Sequence, residues 1–439
     1  MISAARRDDI IGALRRGTVP SAGLDALAVG IDALAPTLDE ELATVSSGRG
    51  GFKAVRGEYG TGKTFFGRWL QERARAKGFA TSEVQINETE TPLHRLETIY
   101  RRLVERLGTA DSSTGAFRSV IDGWFFALEQ DVLADGSIDA NDANDANALL
   151  ERTQGLMEAQ LGTISKTAPA FSAVLRTYRR ALADGDNQLA EGLISWLAGQ
   201  PNVAASVKRA AGIKGELDHF GAANFLIGLL TILRDSGFPG LVLVLDEVET
   251  LQRMRADTRE RGLNALRQLI DEIDAGRFPG LYLVITGTPA FFDGAQGVQR
   301  LAPLAQRLHV DFGTDRKFDN PRAVQIRLAP FDQVSLVAVG KRVRDIYADT
   351  QPNEARLRRV VDDTYIEVLA HAVAGGLGGK VGVAPRLFLK KLVADVLDRV
   401  DLHENFDPSQ HYKLTLAETE MTANERTAAS ATTVDDIEL

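Results

Sequence analysis

The glycine-rich run at residues 57–64, GEYGTGKT, constrains the fold more than any other part of the sequence. It fits the pattern G-x-x-x-x-G-K-[ST], in which glycines let backbone N–H groups turn inward around phosphates. A strand-like run, FKAVRG, precedes it, and an amphipathic helix, predicted over residues 65–77, follows it and adds the positive end of its dipole. This order predicts a phosphate-binding loop, here named the glycine loop. The alternative is a glycine-rich turn with an incidental surface lysine.

Two side chains of the glycine loop have predicted roles. Lys63 can reach the β and γ phosphates of a nucleotide, and Thr64 offers a hydroxyl to Mg²⁺. We therefore expect a nucleoside triphosphate and a magnesium ion as ligands. Contacts with the nucleotide are predicted for Gly57, Glu58, Tyr59, Gly60, Thr61, Gly62, Lys63, Thr64 and Phe65.

A pair of acidic residues follows a second constraining run. Residues 241–249 read LVLVLDEVE, which is typical of a parallel strand that is buried on both faces and ends in acids. At the carboxyl end of such a strand an acid points into the ligand crevice. We expect Asp246 to hold Mg²⁺, directly or through water, and Glu247 to orient and polarise the attacking water. The alternative is that Asp246 caps a helix whose first turn contains Glu247.

Further apolar runs predict other strands at residues 79–89, 281–288 and 323–331, with helical patterns between them. Strands that alternate with helices specify a parallel sheet, so the predicted fold class is α/β with helices flanking the sheet. Thr286 and Thr288 end the strand at 281–288, where either could hydrogen-bond the γ phosphate or the attacking water. Either is equally explained as a β-branched residue at a strand end.

Three arginines are candidates for contacts with bound phosphate. Arg307 follows the strand at 281–288 on a predicted helix and is preferred to Arg300 as an arginine finger toward a neighbouring subunit. Arg386 follows Pro385 in the first turn of a predicted helix, where a cation opposes the helix dipole and a role toward bound phosphate becomes more plausible. The alternatives are an ordinary solvated arginine and a surface salt bridge.

The patterns divide the chain into a nucleotide-binding core and helical additions. Only helical periodicity lies between about residues 107 and 236, which implies a large insertion between the glycine loop and the acidic pair. The predicted segments are an N-terminal helical approach segment at 1–50, a core at 51–106 and 237–330, a helical insertion at 107–236, a helical lid at 331–413 and a disordered acidic tail at 414–439.

The amino-acid composition excludes several classes of site and of protein. The chain has no Cys, which excludes disulfide scaffolds, thiolate zinc sites and cysteine nucleophiles. Its formal net charge of −9 argues against broad wrapping around nucleic acid. The N-terminus lacks a secretory pattern, and no apolar run is long enough for a membrane span, so we expect a cytoplasmic protein.

The motifs GEYGTGKT, LVLVLDEVE, LVITGT and APR resemble those of AAA+ ATPases of the origin-recognition branch, over residues 50–400. More narrowly, IIGALRRGTVP, ISWLAGQPN and LDEVETLQRMRADTRERGLNALRQLID resemble the BrxD ATP-binding proteins of BREX phage-defence systems. The resemblance implies ATP and Mg²⁺ as ligands and a P-loop sheet with a helical lid. It assigns Walker A to Lys63 and Thr64, Walker B to Asp246 and Glu247, sensor 1 to Thr286 or Thr288, the finger to Arg307 and sensor 2 to Arg386.

The same resemblance implies ATP hydrolysis that drives or gates a phage-defence assembly. The implied partners are a methyltransferase, a phosphatase-like protein and a larger ATPase, with double-stranded DNA and a homo-oligomer as further candidates. For DNA, cations at residues 341–344 and 356–359 offer positive helical charge, although such charge is usually a solvated face. Two other functions stay open: a slowly hydrolysing nucleotide-gated switch of the STAND type, and a P-loop kinase, since a phosphate loop alone does not separate hydrolysis from transfer.

Overall fold

The computed structural model describes residues 3–134, 145–160, 162–313, 315–349, 351–377 and 385–430 of the 439-residue chain. In this part of the chain, helices surround one parallel sheet, which is the α/β class predicted from the sequence. No described helix combines the length and the apolar character that a bilayer span requires.

One sheet contains the five strands of the described residues: β1 (Gly51–Arg56), β2 (Ala80–Gln85), β3 (Leu241–Asp246), β4 (Leu281–Gly287) and β5 (Gln325–Arg327). Their order is β2-β3-β4-β1-β5, and all neighbouring pairs are parallel. The register pairs Val55 with Thr286 and Gln85 with Asp246. The carboxyl ends of β1 to β4 therefore meet at one edge, and β4 separates β1 from β3.

Strands β3 and β4 are buried on both faces of the sheet, as their apolar runs predict. Every residue of β3 and β4 is buried. On one face, Val244 and Tyr282 join a cluster with Trp69 of the helix that follows the glycine loop. On the other face, Leu243 and Leu283 join a larger cluster that extends into the helices between β2 and β3. Burial of side chains of this size contributes about 1.5–3 kcal/mol each, so the two clusters fix the position of this sheet edge.

The helices before β3 are α1 (Ala4–Arg16), α2 (Ala35–Ser46), α3 (Lys63–Ala76), α4 (Leu96–Glu105), α5 (Phe117–Ala134), α6 (Asp145–Gln160), α7 (Gly162–Thr167), α8 (Pro169–Ala183), α9 (Asn187–Leu197), α10 (Ala205–Ala210) and α11 (His219–Asp235). After β3 follow α12 (Ala256–Asp274), α13 (Pro289–Asp293), α14 (Ala302–Leu308), α15 (Gln333–Ala348), α16 (Glu354–Val360), α17 (Asp363–Gly376), α18 (Pro385–Lys390), α19 (Asp398–Leu402), α20 (Pro408–His411) and α21 (Ala423–Ser430). A π-helical stretch, Lys391–Leu397, joins α18 to α19. Short 3₁₀ helices lie at Leu24–Ala26, Asp32–Leu34, Val248–Arg253, Val298–Arg300, Arg316–Phe318 and Glu418–Glu420.

An aromatic cluster joins the helices that lie between β2 and β3. The ring of Phe225 on α11 lies 5.0 Å from Phe171 on α8, 5.4 Å from Trp196 on α9 and 5.9 Å from Tyr100 on α4, each in an edge-to-face arrangement. Such pairs add roughly 0.5–1.5 kcal/mol each beyond the burial of their surface. Because α11 leads into β3, this cluster ties the helices of the predicted insertion to the central sheet.

A separate apolar cluster forms around α15, α17 and α18. Phe388 is fully buried in it, and Ile10 and Leu14 of α1 are buried in the same cluster. Arg15 of α1 also pairs with Asp398 of α19 at 2.6 Å. The N-terminal helix therefore packs with the helices of the predicted lid, which its sequence pattern alone does not indicate.

Part of the segment predicted as an acidic tail forms helices that pair with the helices before it. The 3₁₀ helix Glu418–Glu420 and helix α21 lie beyond residue 413. Their carboxylates Glu420 and Glu425 pair with cations of α18 and the π-helical stretch. Composition reveals that a segment is acidic, but it does not reveal that a folded domain presents matching cations. Residues 431–439 lie outside the described residues.

Candidate functional site

The glycine loop connects β1 to α3 and has a backbone shape that requires glycine. Gly60 and Gly62 have φ angles of 85° and 88°, in the left-handed region that residues with a Cβ rarely adopt. A Cβ on Gly57 would lie 2.3 Å from Thr61 Oγ1, which is too close for a nonbonded contact. Helix α3 begins at Lys63, within the glycine loop, so its N-terminus faces the space that the loop encloses.

Lys63 is buried inside the loop that it terminates. Its ammonium donates hydrogen bonds to the carbonyl oxygens of Gly57 at 2.9 Å and Glu58 at 3.4 Å. It also lies 3.6 Å from a carboxylate oxygen of Glu249 and 5.0 Å from the centre of the Tyr59 ring. Two carbonyls, a carboxylate and an aromatic face thus compensate the buried charge.

Thr64 and Asp246 are 182 residues apart in the sequence and are in direct contact in the fold. The Thr64 hydroxyl lies in the first turn of α3, and Asp246 lies at the end of β3. The hydroxyl donates a hydrogen bond to Asp246 Oδ2 at 2.8 Å. The other carboxylate oxygen, Oδ1, accepts hydrogen bonds from the Thr286 hydroxyl and, at 3.0 Å, from the Glu247 N–H. Donors from α3, from β4 and from the residue after β3 therefore fix this buried carboxylate in one orientation.

Glu247 has a backbone conformation that is unusual for a residue with a side chain. Its φ and ψ angles are 59° and 40°, in the left-handed region. Strain of this kind costs on the order of 1–3 kcal/mol and concentrates at functional sites. The side chain extends toward β2, where the Gln85 amide donates to Glu247 Oε2 at 2.8 Å. The 3₁₀ helix Val248–Arg253 that follows has no side-chain cap, so helix capping does not explain the acidic pair.

Glu249 belongs to the site as well, although sequence reasoning passes over it. Its Oε1 faces Lys63, and its buried Oε2 has no hydrogen-bond partner among the described residues. Burial raises the pKa of the Glu249 carboxyl, and the Lys63 ammonium opposes that rise. The sequence feature that could have identified Glu249 is its position as the final acid of DEVE. It follows Asp246 by the spacing of one 3₁₀ turn.

The two threonines at the end of β4 have different surroundings. Thr286 donates its hydroxyl to Asp246 and also lies 3.3 Å from the Glu247 nitrogen. Thr288 caps α13, where its Oγ1 accepts a hydrogen bond from the Phe291 N–H at 3.4 Å. Both side chains are buried. The fold therefore brings Thr286 to the acidic pair and uses Thr288 as a helix cap.

Arg307 is paired with a residue outside the glycine loop. Within α14 it donates to the Pro303 carbonyl at 3.2 Å, and it forms an ion pair with Asp271 of α12. Asp271 also accepts from Arg267 at 2.8 Å. Arg300 lies at the end of the 3₁₀ helix Val298–Arg300. In the described conformation Arg307 is therefore part of a salt bridge to α12.

Arg386 contacts two residues of the segment predicted as an acidic tail. Its guanidinium makes a two-point ion pair with Glu425, with one arm at 3.0 Å, and donates to the Glu420 carbonyl at 2.6 Å. The Glu425 side chain is only 4% exposed. Lys391 pairs with the Glu420 carboxylate at 2.7 Å. Residues that are far from Arg386 in the sequence therefore neutralise it in the described conformation.

The oxygens of Thr64 and Asp246 form a donor set that fits Mg²⁺. They lie 2.8 Å apart, one a hydroxyl and the other a carboxylate oxygen. Mg²⁺ keeps several waters and is bound through one or two carboxylates together with substrate phosphates, so it does not need an all-protein cage. Within the described ranges, no group of three or more His, Cys, Asp or Glu side chains could hold a metal ion. The donor set therefore suits a metal that arrives with phosphate.

Comparison with known proteins identifies the family of the chain. Curated proteins and solved structures give no match. A family model described as BREX system ATP-binding protein BrxC/D matches residues 2–416 and does not separate BrxC from BrxD. The match includes the glycine loop, the acidic pair and Arg386, and it ends before Glu420 and Glu425. The chain belongs to the family of BREX system ATP-binding proteins BrxC/D.

Proposed function

We propose that this protein is an AAA+ ATPase that hydrolyses ATP to drive or gate a BREX phage-defence assembly, in the role of BrxD. The observation that carries the proposal is the 2.8 Å hydrogen bond from Thr64 to Asp246, which joins the glycine loop to the acidic pair. The strand order supports it, because β4 brings Thr286 between the strand that carries the loop and the strand that carries the acids.

ATP binding in this proposal uses the loop and the first turn of α3. The backbone N–H groups of the glycine loop contact the phosphates, and Lys63 leaves the carbonyls of Gly57 and Glu58 to reach the β and γ phosphates. Thr64 and Asp246 would hold Mg²⁺, which would neutralise part of the phosphate charge. Thr286 keeps its hydrogen bond to Asp246 and so maintains the direction of that carboxylate.

Hydrolysis in this proposal depends on Glu247. Its carboxylate orients the attacking water and accepts a proton from it. In the described conformation Glu247 Oε2 accepts a hydrogen bond from Gln85 at 2.8 Å. The Gln85 amide can therefore compete with the attacking water for this carboxylate, and this competition gives the protein a point at which turnover can be controlled.

The proposed roles of Arg307 and Arg386 require a change of partners. Arg307 would leave Asp271 and reach the γ phosphate of a neighbouring subunit in a homo-oligomer. Arg386 would leave Glu425 and contact the phosphates of its own subunit. Particle size measured with and without ATP and Mg²⁺ tests the first role, since a finger in trans requires assembly.

Two variants test the central proposal. Glu247→Gln should bind ATP nearly as well as the wild type but lose about 10²–10⁴-fold in phosphate release, because the proton acceptor is removed. Lys63→Ala should weaken ATP binding by about tenfold or more. Glu88→Gln, which changes an exposed carboxylate after β2, is the matched control. Full turnover by Glu247→Gln would overturn the role of Glu247, and no ATP binding by the wild type would overturn the proposal as a whole.

A nucleotide-gated switch with slow hydrolysis is the second candidate, and one observation favours it. The three groups proposed for the chemical step are each paired elsewhere, Glu247 with Gln85, Arg307 with Asp271 and Arg386 with Glu425. A switch of this kind would retain ADP through purification and would turn over less than once during a binding experiment. Rapid multiple turnover without any partner would contradict it.

DNA and other BREX proteins remain proposed partners. Three of the cations that the sequence indicates for DNA are used within the fold: Lys341 and Arg344 pair with Asp363 at 3.0 and 2.7 Å, and Arg342 donates to the Ala28 carbonyl. Less positive charge is therefore available to phosphates than the sequence indicates. Binding of a fluorescent DNA duplex that weakens as salt rises would support direct contact with DNA. No binding at low salt would argue for protein partners only.

A further inference from the structure

Glu249 and Lys63 form a buried pair at the base of the glycine loop, and the carboxylate is incompletely compensated. The side chains of Lys63 and Glu249 are 9% and 8% exposed, and the distance from Nζ to Oε1 is 3.6 Å. That distance exceeds a hydrogen bond, whereas the Gly57 carbonyl lies 2.9 Å from the same ammonium. The second oxygen, Oε2, is buried and has no hydrogen-bond partner in the described part of the chain.

The surroundings of Glu249 make its charged form dependent on Lys63. Its charged and titratable neighbours are Lys63, Tyr59, Asp246, Glu247 and, beyond the Tyr59 hydroxyl, Arg253. Asp246 and Glu247 add negative charge, and burial raises the pKa of the Glu249 carboxyl although Lys63 acts in the opposite direction. Any event that draws the ammonium away therefore destabilises the carboxylate further.

An incoming triphosphate is such an event. This step rests on the proposed function, in which Lys63 turns to the β and γ phosphates. As the ammonium moves from Glu249, the phosphates bring negative charge to the same enclosed space. Both changes favour the neutral form of the carboxyl group, because the loss of a cation and the approach of an anion act in the same direction.

We propose that Glu249 is the positioning residue of Lys63: it holds the ammonium inside the glycine loop and, when the ammonium moves to a bound nucleoside triphosphate, Glu249 binds a proton. The proton comes from solvent and forms an O–H bond on the Glu249 carboxylate, and no bond of the nucleotide changes. ATP binding is thus coupled to proton uptake by a side chain that does not touch the nucleotide.

Isothermal titration calorimetry tests the coupling. ATP with Mg²⁺ is titrated into the protein in buffers that have the same pH but different enthalpies of ionisation, from about pH 5.5 to about pH 8. The variation of the observed heat with the buffer gives the number of protons taken up. Wild type should take up more protons than Glu249→Gln, by a difference of up to about one per nucleotide. Glu88→Gln should match the wild type.

Affinity gives a second measurement on the same samples. At the alkaline end, Glu249→Gln should bind ATP about three- to tenfold more tightly than the wild type, because no buried anion opposes the phosphates. The difference should shrink as the pH falls and the wild-type carboxyl becomes neutral. A residue that only supports the loop would change the affinity to the same extent at every pH.

Three outcomes would contradict the inference. Equal proton uptake by wild type and Glu249→Gln would show that Glu249 is not the group that binds the proton. If the wild type bound ATP without taking up protons at any pH, the proposed coupling would be contradicted by the wild-type data alone. If the wild type bound no ATP in any buffer, the proposed function would be overturned, and the inference with it. This outcome differs from the other two because they both require that ATP binds.

Discussion

Thr64 is the residue through which the two halves of the site meet, and its hydroxyl can be tested apart from its bulk. Thr64→Val keeps the volume of the side chain but removes the hydrogen bond to Asp246. Because the proposed role of this hydroxyl is to hold Mg²⁺ together with the phosphates, we expect ATP affinity in the presence of Mg²⁺ to fall about tenfold or more. Affinity measured by calorimetry in a metal chelator should change little.

Thr64→Ser is the control for this experiment, because it keeps the hydroxyl and loses only a methyl group. It should bind ATP and Mg²⁺ within about threefold of the wild type. An equal loss of affinity in Thr64→Val with and without Mg²⁺ would argue that Thr64 supports the loop and does not contribute to a metal site.

Glu249 leads to a prediction about stability as well as binding. Burial raises the pKa of this carboxyl above its ordinary value of 4.5. A carboxyl with a raised folded-state pKa favours folding below its unfolded pKa, and that contribution is lost as the pH rises through the folded value. Glu249→Gln should therefore raise the Tm of the nucleotide-free protein at about pH 8, with a gain that disappears toward about pH 4.

Circular dichroism at several pH values measures this Tm difference. Glu88→Gln, which changes an exposed carboxylate, should leave the Tm unchanged across the range. If the gain of Glu249→Gln were the same at acid and alkaline pH, it would come from packing and not from removal of a buried charge.

Among the secondary-structure elements, α11 offers a matched pair of phenylalanines. Phe225 is 2% exposed at the centre of the aromatic cluster, whereas Phe220 on the same helix is 77% exposed. Phe225→Ala should lower the free energy of unfolding by about 3–5 kcal/mol, because it leaves a cavity among rings from three other helices. Phe220→Ala should change it by less than about 0.5 kcal/mol. Urea denaturation measures both, and similar small losses would contradict a structural role for the cluster.

Helix α21 gives a prediction about local order. Glu425 makes the two-point ion pair with Arg386 and also accepts from the Thr422 N–H at 2.7 Å. Glu425→Gln removes the buried charge opposite Arg386, and we expect backbone amides in α21 to exchange with deuterium about tenfold faster or more. Glu418→Gln, a change at an exposed position of the same segment, is the control. Unchanged exchange in Glu425→Gln would mean that other contacts hold the helix.

For the molecule as a whole, local patterns predict the strands but not their arrangement. The unbroken apolar runs before Asp246 and Thr286 predict buried parallel strands, and both occur where expected. The position of β4 between β1 and β3 could not be derived in this way, because strand pairing depends on contacts between segments that are far apart in the sequence. The packing of α1 with the lid helices is non-local in the same sense.

The candidate site likewise has parts that local sequence patterns predict and parts that depend on distant segments. The glycine loop and the acidic pair are short motifs whose residue types follow from their chemistry, and the fold joins them through Thr64 and Asp246. The partners of Arg307 and Arg386 come from α12 and α21, so a sequence pattern around each arginine carries no information about them. Glu249 was missed for a different reason: its spacing from Asp246 acquires meaning only once a 3₁₀ turn follows β3.

Because α1 packs with the helices of the predicted lid, residues 17–34 connect that apolar cluster to the cluster on the sheet. Leu27 belongs to the apolar cluster around α15, α17 and α18. Leu24 belongs to the cluster on the sheet face that contains Trp69, and Leu38 of α2 lies in that cluster too. A rotation of the helices predicted to form the lid would therefore change the conformation of residues 17–34. Because the natural sequence has no cysteine, dyes attached through Arg6→Cys on α1 and Ala43→Cys on α2 would report that rotation by energy transfer, without a label near the nucleotide.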